Sequence, residues 1–585
     1  MARYSASAGR TVHTVSFDVM AQVVQTDAPL RLHAAVIDYV LVGTYFALVL
    51  GIGFIARRSV ASSLDFLLSG RSLPAWVTGL AFMSANLGAT ELLGQSANGA
   101  EFGIQAVHYY WIGAIPAMVF LGLFMMPFFY GSKVRSVPEF LRRRFNPATQ
   151  RFQAVLFAVA SVLLAGVNLY AMAIVVNALL GWPLWLAIIV AGVVVLIYTL
   201  IGGLSASIYN EVLQFFVIVA AMVPITLVGL HKAGGWSGLK AKLFQQPHGH
   251  SLLHAFPAHQ LTGIHNSFWS VIGVVLGLGF VTSFGYWTTN FTEVQRAFSA
   301  KDMSAARRTP LIAAFPKTLI ALVIIIPGII AAVTVPGIEK LNAGGTSSVN
   351  YNDVVPLLMQ QLLPNGFLGV ALAGLLASFM AGMAANVSSL NTVFTYDLWQ
   401  GWLKPGKSDK HYLNVGRWVT VIGTLIAIGT AFIAGNFGNI MDYIQTLFSF
   451  FNVPLFAVFI LGLLWKRATG HAGWAGLASG TAGAIVIFVL NKTGAIPISS
   501  QGSSYLGGGV ALVLAIAVGI IVSLCSKPKP DSQLVGLVRG LVDKDALAEA
   551  GAAGTVGVAW YRNVWVLGIG ALVLAAVCYI FFMFV

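Results

Sequence analysis

The chain has 585 residues, of which 58% are hydrophobic and only 9% charged. That balance excludes a soluble globular protein and fits an all-α protein that crosses a membrane many times. The formal charge of +14 does not point to nucleic acid, because Lys and Arg are spread over short segments between apolar runs instead of forming one face or tail.

Residues 1–35 hold no continuous apolar run, so they read as a polar extension and not as a cleaved signal. Apolar runs of about 20 residues, long enough to cross a ~30 Å hydrocarbon layer as helix, follow at 36–56, 74–99, 106–131, 152–180, 183–201, 208–230, 267–290, 310–334, 366–398, 412–434, 438–464, 470–491, 505–525 and 563–584. These fourteen expected spans put both termini on one side. With that side outside, the inner loops collect the basic residues, such as Arg142, Arg143, Arg144, Arg307 and Arg308, at roughly three for every outer one. The gaps at 231–266, 335–365 and 526–561 are too short for an independent domain. Cys525 and Cys578 have no metal-ligand or disulfide spacing.

Two of the spans carry residues that lipid does not tolerate. "GLAFMSANLGATELLG" (Gly79 to Gly94) contains Asn86 and Glu91, and an ionised glutamate at the bilayer centre costs ~3 kcal/mol or more. About 200 residues on, "GLGFVTSFGYWTTNFTEVQR" crowds Thr282, Ser283, Gly285, Thr288, Thr289 and Asn290 into a second span. Small polar residues also serve close helix packing. Asn86 and Glu91 together favour a site, with the first helix unwound around 86–89 so that free carbonyls hold a cation and half-helix ends face a solute.

The stretches "DFLLSGRSLPAWVTGLAFMSANLGATELLG", "VPEFLRRRFN", "YTLIGGLSASIYNEVLQ", "YWTTNFTEVQRAFSAKD", "VFTYDLW" and "FAVFILGLLWKRATG" resemble, in order and at similar spacing, the solute:sodium symporter family, in particular its branch of bacterial sodium/galactose and human sodium/glucose cotransporters. The resemblance covers nearly all of 36–585. It implies fourteen helices, both termini outside, and a ten-helix core of two inverted five-helix repeats (LeuT-type) with two broken helices. On this sequence the extension 1–35 precedes an additional helix at 36–56. The first repeat is then 74–230, the second 267–464, and the C-terminal helices 470–585 include a cytoplasmic linker at 526–561.

Residue by residue, the resemblance implies that the carbonyls of Ser84 and Leu87 bind sodium and that Glu91 stands where relatives have a sugar-bonding glutamine. Tyr286 falls on the family's inner gate, with Trp287 beside it. Ser283 falls on a sugar-contacting asparagine, Lys317 on a lysine and Gln445 on a glutamine of the tenth core helix, while Tyr109 would cover the solute from outside. Tyr110 replaces a glutamate of the sugar carriers, and Glu211 an aspartate. The family's sodium site also takes two hydroxyls from the eighth core helix; here those positions are Ala381 and Gly382, which leaves carbonyls and Ser378. A second sodium site of some relatives falls on Ala384 and Ala385. A buried Glu91 would suit a proton carrier, so H+ stands beside Na+ as the expected coupling ion.

Other polar residues have plainer readings. Lys317 could snorkel to the surface, and Asp442 could simply be hydrated at a span's end. For Asp38, Asp397 and Glu211, solvation at helix ends or pairing with Arg is expected. His248, His250, His254 and His259 lack a matching carboxylate or cysteine, so no metal centre is expected. Tyr109, Tyr110, Trp111, Tyr286 and Trp287 could form an interfacial belt, although aromatics on two helices also suit a sugar ring.

No nucleophile–base pair or phosphate loop stands in a plausible context. The expected function is therefore secondary active transport: import of a small polar solute, a monosaccharide or polyol, across a bacterial inner membrane, with no cofactor beyond a coupling ion. Its partners are the solute and the lipid bilayer, not nucleic acid. A proton-coupled or uncoupled carrier of another organic solute is one alternative. A non-transporting solute sensor is another, disfavoured because 526–561 is too short for a fused signalling domain.

Overall fold

The computed structural model describes residues 32–56, 62–246, 249–435, 439–541, 553–555 and 557–584. The 1–31 part of the extension, residues 542–552 of the linker and His248 lie outside them. In chain order the principal helices are α1 (Val36–Ala56), α2 (Ala75–Asn86), α3 (90–102), α4 (Tyr109–Tyr130), α5 (Pro147–Leu180), α6 (Leu184–Ile197), α7 (Gly203–Lys232) and α8 (Ser267–Thr289). They continue with α9 (Phe291–Phe298), α10 (Met303–Thr334), α11 (Phe367–Leu403), α12 (Asp409–Ala434), α13 (Ile440–Leu464), α14 (Gly470–Lys492), α15 (Ser500–Leu524) and α16 (Val564–Phe582).

Among the described residues, twelve helices are long and apolar enough to cross a membrane, not fourteen. The expected span 74–99 is missing from that count because it is split into α2 and α3, while the helix that starts at Leu184 runs on to a turn at Gly203. Helix starts follow local chemistry. The Asn146 side chain accepts from the Thr149 N–H at 2.8 Å just before Pro147, and the Asp302 side chain accepts from the Ala305 N–H at 2.7 Å at the start of α10. Between α6 and α7 the chain turns at Gly203, with φ 56 and ψ −151. A Cβ there would stand 2.7 Å from the Phe66 carbonyl oxygen, so only glycine fits.

Both polar spans are interrupted, each in its own way. After Asn86, Leu87 leaves helical geometry (φ −74, ψ 43), and the chain resumes past Gly88 as a wide π turn over Thr90–Gln95. In α8 a π stretch covers Gly273–Ser283, and the break comes later, at Asn290 (φ −68, ψ 116), whose side chain caps α9 by accepting from the Thr292 N–H at 2.9 Å. The hydroxyls of Thr282, Thr288 and Thr289 bond back to the carbonyls of Gly277, Phe284 and Gly285 in their own helix. They are satisfied locally.

Helix α11 forms the centre of the bundle: 89% of its most apolar window is buried, against 22% for α16. It packs on α5 and on the α6–α7 segment, while α10 lies along α2 and α3. Glu211 of α7 pairs with Arg296 of α9, both fully buried, which fulfils the expectation that it meets an arginine. Asp397 accepts from Gln150 at 2.7 Å. Asp38 is buried and pairs with no Arg among the described residues; its Oδ1 accepts from the N–H groups of Gly366 and Gly369, each at 2.7 Å, and so caps the start of α11.

Candidate functional site

Five helical segments deliver one buried polar group. Lys317 sits in α10 directly after Pro316 and is 1% exposed, so its ammonium does not snorkel to the surface. It lies 2.7 Å from Glu91 Oε1, donates to Asn86 Oδ1, and stands over the rings of Tyr110 (4.7 Å) and Trp287 (5.2 Å). Tyr110 donates its hydroxyl to Glu91 Oε2. Trp287 stacks on Phe82 at 5.8 Å. A buried ion pair persists only with good geometry and additional hydrogen bonds, and Asn86 and Tyr110 supply them here.

The group continues through Tyr286. Asn86 Nδ2 donates to the Tyr286 hydroxyl at 3.0 Å, and that hydroxyl donates to Glu293 Oε1 at 2.5 Å. The Tyr286 ring stacks on Phe448 of α13 at 4.3 Å. Asn86, Tyr286 and Glu293 also line a small cavity, together with Asn168, Asn290, Thr292 and Asn386.

Three residues expected at the site stand apart from this group. The Tyr109 hydroxyl bonds to Gln501 and Tyr505 of α15. Gln501 donates in turn to Asn98 Oδ1 at 2.9 Å, and Asn439 donates to Asn98 and to Glu101 at 3.0 and 2.8 Å, so Tyr109 belongs to a separate tier joining α3, α4, α13 and α15. Ser283 packs against Gly113: a Cβ on that glycine would stand 2.5 Å from Ser283 Oγ. Gln445 is 2% exposed, and its Oε1 accepts no hydrogen bond among the described residues.

At the break in the first helix, Ser378 Oγ donates to the Leu87 carbonyl, and Ser84 Oγ is buried without a hydrogen-bond partner. Ala381 and Gly382 add no side-chain oxygen. Asn168 of α5 fills the space instead. Its Oδ1 accepts from the Ala89 N–H at 2.9 Å, and a Cβ on Gly88 or on Gly382 would collide with that same oxygen. An amide oxygen thus stands where a side chain at position 382 would be.

Asn168, Glu293 and Gln501 were not singled out by the sequence. Glu293 had a weak signal: it lies inside the second quoted stretch, three residues past Asn290. The proton-carrier expectation rested on a buried Glu91; Glu91 is buried, and it is also paired with Lys317.

Two interrupted membrane helices whose polar ends converge on a buried site, inside a bundle of long apolar helices, define a secondary transporter with an inverted-repeat core. Residues 66–480 match the sequence profile of the Sodium:solute symporter family, and the chain belongs to it. It is a sodium-coupled secondary transporter of a small solute, not an enzyme. A sodium/glucose cotransporter of Vibrio parahaemolyticus is 29% identical over 461 residues, covering 76% of this chain and 83% of that protein. Sodium/myo-inositol cotransporter 2 of Homo sapiens is 28% identical over 480 residues, covering 78% and 70%. The substrate-bound, outward-open structure of a Na+-coupled sialic acid symporter superposes with a TM-score of 0.70 at 18% identity, covering 84% of this chain and 99% of that one. It supports the fold.

Proposed function

We propose that the protein imports a monosaccharide or polyol together with sodium, across a bacterial inner membrane with both termini outside. The observation that carries this reading is the Lys317 ammonium held between Glu91, Asn86 and the faces of Tyr110 and Trp287. Carboxylate, amide and ammonium groups suit the hydroxyls of a sugar, and aromatic faces suit its C–H surface. The names of the Vibrio and human relatives, glucose and myo-inositol cotransporters, point to the same solute class.

In this reading the solute lies among Asn86, Glu91, Tyr110, Ser283, Trp287, Lys317 and Gln445, with Tyr109 in the separate tier and Tyr286 as the gate towards the cytoplasm. Sodium meets the carbonyls of Ser84 and Leu87 and the Ser378 hydroxyl. The amide oxygen of Asn168 compensates for the side chains absent at Ala381 and Gly382.

The test is uptake of labelled glucose, galactose and myo-inositol into proteoliposomes, with sodium and pH gradients imposed separately. Accumulation of one of them driven by sodium alone is the expected result. Accumulation driven only by a pH gradient would overturn the ion assignment. Binding without accumulation under either gradient would make the protein a sensor.

A further inference from the structure

The cavity beyond Tyr286 has a chemistry of its own. Of the side chains that line it, Asn86, Asn168, Asn290, Thr292 and Asn386 are neutral and rich in oxygen, and Glu293 is acidic. Glu293 is 1% exposed. Its Oε1 accepts the Tyr286 hydroxyl, and its Oε2 has no hydrogen-bond partner among the described residues.

The charges around it do not balance. Lys317 is within 2.7 Å of Glu91, and Arg296 pairs with Glu211. Glu293 takes part in none of the ion pairs among the described residues. These five buried groups therefore sum to one negative charge. A buried carboxylate with a free oxygen and no cation beside it is strongly disfavoured, and the space next to it is lined with the hard oxygen donors that a small cation takes. The donors at the helix break, by contrast, are all neutral: two carbonyls, Ser378 and Asn168.

On the strength of the sodium coupling, and independently of which solute is carried, we propose that this cavity binds a monovalent cation, sodium, against the free oxygen of Glu293. Side-chain oxygens of the neighbouring asparagines and Thr292 complete its shell. The site adjoins the break through Asn86, Gly88 and Gly382, which line the same cavity, so an ion leaving the break enters it next. The Tyr286 hydroxyl bonds to both Asn86 and Glu293, so the ion and the solute group share one hydrogen-bonded link.

The experiment measures binding of radiolabelled sodium to the purified full-length protein, with choline as the replacement cation and no solute present. The wild type binds sodium. Glu293→Gln, which keeps the hydrogen bond from Tyr286 but removes the charge, weakens the tightest binding about tenfold or more. Asn386→Ala, in α11 and lining the same cavity, weakens it by a smaller factor and keeps the inference testable should Glu293→Gln fail to fold, which melting in choline reveals. Sodium binding unchanged in both folded variants, or unchanged in Asn386→Ala when Glu293→Gln does not fold, overturns the Glu293 site and leaves the sodium coupling standing. No sodium binding by the wild type overturns both.

Discussion

The ammonium of Lys317 and the carboxylate of Glu91 lie 2.7 Å apart with both side chains buried, the one from an unbroken helix and the other from the turn that follows a broken one. Removing either partner strands the other charge. Lys317→Ala and Glu91→Gln are each expected to destabilise the protein by about 3 kcal/mol or more and to abolish uptake. The double variant Lys317→Met with Glu91→Leu recovers most of the melting temperature but no transport. Thermal melts with parallel uptake assays check this; uptake by the double variant would remove the pair from the solute site.

Tyr286→Phe keeps the stack on Phe448 and deletes the hydroxyl between Asn86 and Glu293. Both partners lose a buried hydrogen bond, at a cost of about 1–3 kcal/mol. The expected phenotype is retained solute binding with about tenfold slower sodium-driven accumulation. An unchanged accumulation rate would mean that the hydroxyl does not couple the two sides.

Gly382→Ser restores a hydroxyl side chain at the position where the family's sodium site has one, but its Cβ collides with Asn168 Oδ1. Alone it lowers the melting temperature and sodium affinity. Combined with Asn168→Ala it recovers both, a coupling of roughly 1–3 kcal/mol in a double-mutant cycle. Additive effects of the two substitutions would separate Asn168 from position 382.

Burial pushes the carboxyl of Glu293, which lies between two membrane spans, up to about 7; the Tyr286 hydroxyl, Arg296 and Lys317 offset part of that rise and Glu211 adds to it. An acid whose folded-state value is raised stabilises the fold fully below its unfolded value and loses that contribution as pH rises through the folded one. In sodium-free buffer the melting temperature is therefore expected to fall between about pH 5 and pH 8. Glu293→Gln flattens the slope, and a slope equal to the wild type's would assign it to another group.

Asn86 and Glu91 were legible in the sequence because lipid tolerates neither, and so was the break beside them. Lys317 was legible only through family resemblance, since an ammonium near the end of an apolar run ordinarily reaches water; what holds it inward is a carboxylate from a distant helix. Tyr109 read as a lid on the solute, but its partner Gln501 lies 392 residues along the chain, beyond any local pattern. Glu293 passed unnoticed because acids just past a span are normally hydrated, and only packing removes the water. Hydropathy alone did not show the split of 74–99 into two helices for a related reason: it reads an interrupted helix as continuous.

The carboxylate of Asp38 grips the first amides of α11 from α1. A displacement of α11's first turn is therefore expected to carry α1 with it, which makes α1 a handle on the most enclosed helix of the bundle. A spectroscopic label on the exposed Ile55 of α1 would follow that motion.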